Sequence, residues 1–213
     1  MQKRGKVFAE VVMRKELRKE DALRFYALMT MGGYLSIDAC INTAYRDFCR
    51  TMHGIMGNNR NEAMRSEASD IIRRMIGKVL KASLTQAEFD KLHGSACKAI
   101  KKVYSENQTA FFIGQAQKWI NMSFKYVYLL YLADLLDVSK TGIDILKHNY
   151  RHFHLPIDNI VLQHQTVKRL FSEHIGSVAW SRIDDYSMYL AFQKSLQEAV
   201  KMPLIVFEGQ IWK

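Results

Sequence analysis

The stretch Thr109–Leu136, TAFFIGQAQKWINMSFKYVYLLYLADLL, constrains the fold more than any other part of the chain. It is the longest apolar helical pattern in the sequence, and a helix apolar around most of its circumference must be enclosed by other elements. Yet its middle carries Gln117, Asn121 and Lys125 at i, i+4 and i+8, with Lys118 alongside. That spacing aligns them along one side of the helix. Amides and lysines in line suit contacts to phosphates or base edges. They also suit a buried polar network that fixes helix register. Gly114, upstream, permits a close approach of another backbone. Lys118, Lys125 and Asp134 interrupt the apolar run, so it is too short to span a bilayer.

The rest of the chain reads as helices around this one. Leu17, Leu23, Tyr26, Ala27 and Met31 give an apolar stripe over Glu16–Met31, which Gly32-Gly33 ends. Ile37, Cys40, Ile41, Ala44 and Phe48 mark the buried face of a second helix. Gly57–Asn61 is a loop, and a basic helix follows over Glu62–Ala82. Thr85-Gln-Ala-Glu88 matches a capping box and opens a further helix. Val138–Leu155 shows no clean period and reads as irregular, with room for one short helix. Asp158 is expected to N-cap a helix ending at Gly176, and Asp184 or Asp185 to cap a last helix through Val200. Leu204–Trp212, rich in β-formers, predicts an extended or β-like tail. The expectation is an all-α, single helical-bundle-like domain of about seven helices, sub-divisible into a basic half, 1–105, and a site half, 106–213.

The 31 Lys and Arg against 21 Asp and Glu give a net charge of +10. That excess favours a polyanionic partner, most simply DNA or RNA. Arg73, Arg74, Lys101 and Lys102, with Lys118 and Lys125, are the candidate backbone contacts, beside Gln117 and Asn121. Further basic residues lie in an N-terminal row: Lys3, Arg4, Lys6, Arg14, Lys15, Arg18 and Lys19. Cys40, Cys49 and Cys97 lack metal or redox spacing and read as free thiols of a reducing compartment. The segment MQKRGKVFAEVV has no apolar run long enough for a signal peptide, so a cytoplasmic protein without membrane contact is expected.

His154-Leu-Pro-Ile-Asp158 closes a histidine-rich stretch, a place where catalytic groups tend to sit. Leu135-Leu-Asp-Val-Ser-Lys140, followed at a matching distance by LPIDNIVL, resembles the hairpin and catalytic Asp-helix of helix-hairpin-helix DNA glycosylases. The resemblance covers about 25 residues, and Asp137 and Ser139 stand where that family has hairpin glycines. It implies Asp158 as the catalytic carboxylate and Lys140 as a nucleophile. His154 joins them as a candidate acid or base on the same turn.

Arg46-Asp47-x5-His53 resembles the Arg-polar-x(4–6)-His signature of HEPN ribonucleases, which cleave RNA without metal. Five of the seven histidines lie between His148 and His174. His148 and His152, at i and i+4, with His154 and Asp158, fit a metal pair only if that stretch is helical, and no HExxH supports one. No phosphate loop, dinucleotide fingerprint or Gly-x-Ser-x-Gly motif occurs, and neither metal nor cofactor is expected. Two functions from different classes follow. One is a nucleic-acid-interacting protein, binding or processing. The other is a non-enzymatic bacterial or phage regulator whose basic face meets an acidic protein.

Overall fold

The computed structural model describes residues 18–49 and 59–211, with side chains from residue 61 in the second span. Among the described residues the fold is all-α. Nine helices follow in order: α1 (Lys19–Thr30), α2 (Ile37–Cys49), α3 (Asn59–Val79), α4 (Gln86–Glu106), α5 (Ile113–Leu132), α6 (Lys140–Asn149), α7 (Gln165–His174), α8 (Tyr186–Val200) and α9 (Leu204–Ile211). Short 3-10 turns at Tyr150–His152, Val161–Gln163 and Trp180–Arg182 join the later helices.

The helix α5 is buried along most of its length, as its composition requires. It packs chiefly on α2 and α4. Trp119 is fully buried; its indole Nε1 donates to the Ile41 carbonyl at 3.1 Å and its ring stacks parallel to Phe48. The expected capping box forms at α4, where Thr85 Oγ1 accepts from the Glu88 amide and Glu88 accepts from the Thr85 amide. Asn149, fully buried, stitches α6 to the α3–α4 connection. Its amide donates to the Val79 and Ala82 carbonyls and its oxygen accepts from the Leu84 amide.

Two segments depart from the sequence expectation, and in a third, Val138–Leu155, the short helix that the sequence left room for is formed. Leu204–Ile211 is a helix, not an extended tail. Packing overrides the β-propensity of LIVF, because helical spacing turns Leu204, Ile205, Phe207 and Glu208 inward together. Pro203 precedes the helix, where its missing amide proton costs nothing. Lys140–Asn149 is a regular helix capped by Ser139, whose hydroxyl accepts from the Gly142 amide. Asp158 does cap, but it caps a 3-10 turn, and α7 starts only at Gln165.

Two apolar clusters result. One surrounds α5 and draws on α2 through α6; the other gathers α7, α8, α9 and the segment from Leu155. Tyr186 packs against both. Where the second cluster crosses the start of α5, Gly114 lets the backbones meet. Its amide donates to the Ile183 carbonyl at 2.8 Å, and a Cβ there would lie 1.9 Å from the Trp180 carbonyl oxygen. Neither backbone can yield without disturbing a cluster. Gly114→Ala is therefore expected to destabilise the protein by at least about 1–3 kcal/mol, read as a lower urea midpoint. An unchanged midpoint would refute the close approach.

Candidate functional site

The polar stripe of α5 lies on the seam between the two clusters. Residues 153–158 cross that seam buried and without regular secondary structure, so their backbone groups need side-chain partners. Gln117 bridges both backbone groups of Ile157, accepting from its amide and donating to its carbonyl at 3.3 Å each. Gln193 does the same for Leu155 at 3.0 and 2.8 Å. Asn121 Nδ2 adds a contact to the Leu155 carbonyl at 3.3 Å and donates to Gln117 Oε1 and Tyr189 Oη. Gln117 and Asn121 are 0% and 1% exposed, so their hydrogen bonds are spent inside the protein.

A hydrogen-bonded chain of side chains runs on from Asn121. Its Oδ1 lies 3.0 Å from His93 Nε2, which must therefore carry that ring's proton. His93 Nδ1 is then an acceptor, 3.0 Å from Tyr186 Oη, whose single proton is shared with the Asp90 carbonyl. Tyr189 Oη, accepting a hydrogen bond from Asn121 Nδ2, lies 3.0 Å from His154 Nδ1. His154 Nε2 in turn donates to Asp90 Oδ1 at 2.9 Å. Burial would raise the Asp90 pKa, but the hydrogen bonds from His154 and Gln86 outweigh it and hold the carboxyl below its usual range. Burial, reinforced by nearby His154, pushes His93 well below the ordinary histidine value, against the opposing bond to Asn121. His93 is thus neutral when folded and titrates near 6.5 when unfolded. Below that pH the unfolded chain binds the extra proton, so folding stability falls as pH drops from about 6.5. Urea midpoints between pH 7 and pH 5 should show this decline, and His93→Gln should flatten it. An identical slope in both proteins would remove His93 as its source.

The other side of α5 faces a cavity of about 710 Å³. Leu23, Ala27 and Met31 from the α1 side and Met122, Leu130 and Ile160 opposite make its apolar walls. Lys118, Lys125 and Asp158 also line it. Lys118 Nζ donates to Asp158 Oδ2 in a short ion pair, with side-chain exposures of 5% and 12%. Asp158 Oδ1 accepts the amides of Ile160 and Val161 at 2.9 Å each. Lys125 pairs with Glu208 Oε1 at 2.7 Å. Glu208 is 1% exposed and its Oε2 has no hydrogen-bond partner among the described residues. Burial pushes its pKa up, while Lys125 and then Lys118 pull it down less strongly; Asp158 adds to the rise. Four ionisable groups therefore sit together beside an apolar space.

The other candidates lie apart from this cavity. Lys140 is exposed at the first turn of α6, and His154 belongs to the chain ending at Asp90. Arg73 is held by Asp38 and Asp70 on the α2–α3 surface, and neighbouring Arg74 is exposed. Lys101 and Lys102 line, with Lys98, a separate concavity of about 330 Å³. There Lys101 pairs with Asp184, and Lys102 with Glu106. Arg46 bonds to the Thr30 carbonyl and Thr43; His53 lies outside the described residues, as do Lys3 to Lys15 of the N-terminal basic row, while Arg18 pairs with Asp21. His148 and His152 are near neighbours, but His152 Nδ1 bonds to Gln86 Oε1. Among the described residues no three His, Cys, Asp or Glu side chains converge so as to hold a metal, and no helix is long and apolar enough to cross a membrane. The sequence reading missed Glu208, because it lies in the segment assigned to the extended tail, and missed His93, Tyr189 and Asp90, which no local spacing ties together.

Compared with known proteins, the chain matches no family model, no curated protein and no solved structure.

The Lys118–Asp158 pair makes a separable prediction. Lys118→Met strands a buried carboxylate and should cost about 3–5 kcal/mol, whereas Lys118→Met with Asp158→Asn, which keeps the Oδ1 acceptor, should recover most of that loss. Urea unfolding of the four proteins in the cycle measures the coupling, and additive losses would deny it.

Proposed function

We propose that this chain is a binding protein whose cavity between α1, α5 and the Asp158 turn receives a small amphipathic molecule. The observation that carries this reading is the pairing of apolar walls with charged groups at one place on the wall. A cavity of about 710 Å³ lies within the range of ligand sites, which are mostly apolar with few convergent polar groups. Burying two ion pairs is a poor way to gain stability, since desolvation offsets most of the Coulomb attraction. Their position on a cavity wall gives them a second use, in orienting a ligand.

Binding is favoured over catalysis by the occupancy of Asp158. One oxygen takes two backbone amides and the other takes Lys118, leaving little capacity for a general base. Lys140 stands apart as a nucleophile, so the glycosylase-like role draws on Asp158 alone.

A second reading, contact with DNA or RNA, rests on the net charge of +10 and on the three lysines around the α4 concavity. The two readings part on measurement. An environment-sensitive probe such as anilinonaphthalene sulfonate should bind saturably, one per chain, and Ala27→Trp, which fills the cavity wall, should abolish that binding without lowering helicity. Unchanged probe binding in Ala27→Trp would defeat the cavity reading. Affinity for a DNA or RNA oligonucleotide that falls steeply with salt, undisturbed by Ala27→Trp, would favour the second.

A further inference from the structure

The cavity has an outer and an inner charge on its α5 side. Lys125 lines it and is 17% exposed; Glu208 sits behind Lys125 and is 1% exposed. A molecule entering from the cavity meets the ammonium before the carboxylate. Lys118, the second lysine on the same wall, is 5% exposed and already bound to Asp158.

We propose that the cavity's ligand carries an anionic head group, a carboxylate or sulfonate, that pairs with Lys125, and that its arrival places a solvent proton on Oε2 of Glu208. The inference rests on the cavity being a ligand site. Its physical basis is the cost of an uncompensated charge in a poorly solvated space. Lys118, Lys125, Asp158 and Glu208 together are neutral when all are ionised. An added anion leaves one negative charge in excess, and such a charge away from water is removed by protonation where protonation is easiest.

Glu208 is the group that yields. Both oxygens of Asp158 already face donors, two backbone amides and Lys118. Asp47, also on the cavity, accepts the Tyr126 hydroxyl. Glu208 has an oxygen with no donor facing it. The other ionisable groups around α9 leave this ordering intact. His164 lies edge-on to Phe207 at 5.2 Å. Among the residues of the adjoining 3-10 turn, Arg151 is exposed and His152 is tied to Gln86. The step balances: one anion and one proton enter, and the site stays neutral.

Calorimetric titration of the whole chain with decanoate and with decanol, at pH 7 in two buffers of different ionisation enthalpy, tests it. Decanoate should bind with uptake of about one proton, and decanol more weakly with none. Glu208→Gln should bind decanoate without uptake. Lys125→Met should lose decanoate affinity about ten- to a hundredfold, the worth of a hydrogen bond between charged groups, with decanol unaffected; Lys125→Arg should keep it. Decanoate bound without proton uptake overturns the proton step. Decanol bound as tightly as decanoate overturns the anionic head. Failure of both to bind, with the probe also unbound, removes the cavity reading itself.

Discussion

Everything in this fold adjusts to one demand, that residues 153–158 be buried without a helix or sheet to satisfy their backbone. A backbone group left unpaired in such a place costs about 1–3 kcal/mol. The chain meets the demand with side chains from two helices. Gln117 and Asn121 of α5 reach from one side and Gln193 of α8 from the other. That accounts for amides in the middle of an otherwise apolar helix. It also explains why α8 and α5 stay in register: each amide fixes the position of the strip of chain between them. The His93, Tyr189, His154 and Asp90 chain then ties α4 to the same place, so both apolar clusters are referenced to one set of hydrogen bonds.

The two polar systems of α5 differ in kind. The Asn121 system ends on Asp90, and its members saturate one another's hydrogen bonds. A network of that sort, fully satisfied, specifies a unique core. The Lys118, Lys125, Asp158 and Glu208 system is ionic, retains an oxygen without a donor, and borders open volume. Stability alone would favour replacing it by apolar side chains. One system is complete in its hydrogen bonds and the other is not, although both lie on a single helix.

Net charge is a coarse guide here because of where the charge lies. Seven of the 31 Lys and Arg, but only two of the 21 Asp and Glu, fall outside the described residues. Half of the +10 therefore belongs to segments whose arrangement is not described. On the helices, Arg73, Lys101 and Lys102 each have an acidic partner. Exposed pairs of this kind contribute about 0–1 kcal/mol to stability, but they do lower the local positive field that a phosphate backbone would meet.

How much of this was legible in the sequence depends on the range of the interaction. The helical class and the Thr85 capping box follow from neighbouring residues and can be read directly; Gly114 announces a close approach, but its partners, Trp180 and Ile183, are distant in the chain. Glu208 could not be placed, because LIVF favours a strand until the second cluster supplies a helix-shaped site for it. The α5 stripe was only half legible, for a geometrical reason. At 3.6 residues per turn, a step of eight residues drifts by about 80°, whereas a step of seven drifts by only about 20°. Gln117 and Lys125 thus diverge, and Lys125 falls in line with Lys118. What reads as one row of three is two rows of two: Gln117 with Asn121 toward the buried strip, and Lys118 with Lys125 toward the cavity. Because the rows are set by helix geometry, a substitution that moves one charge from position 125 to position 121 would carry it from the cavity into the hydrogen-bonded network, where Tyr189 and the Leu155 carbonyl offer it no counter-ion.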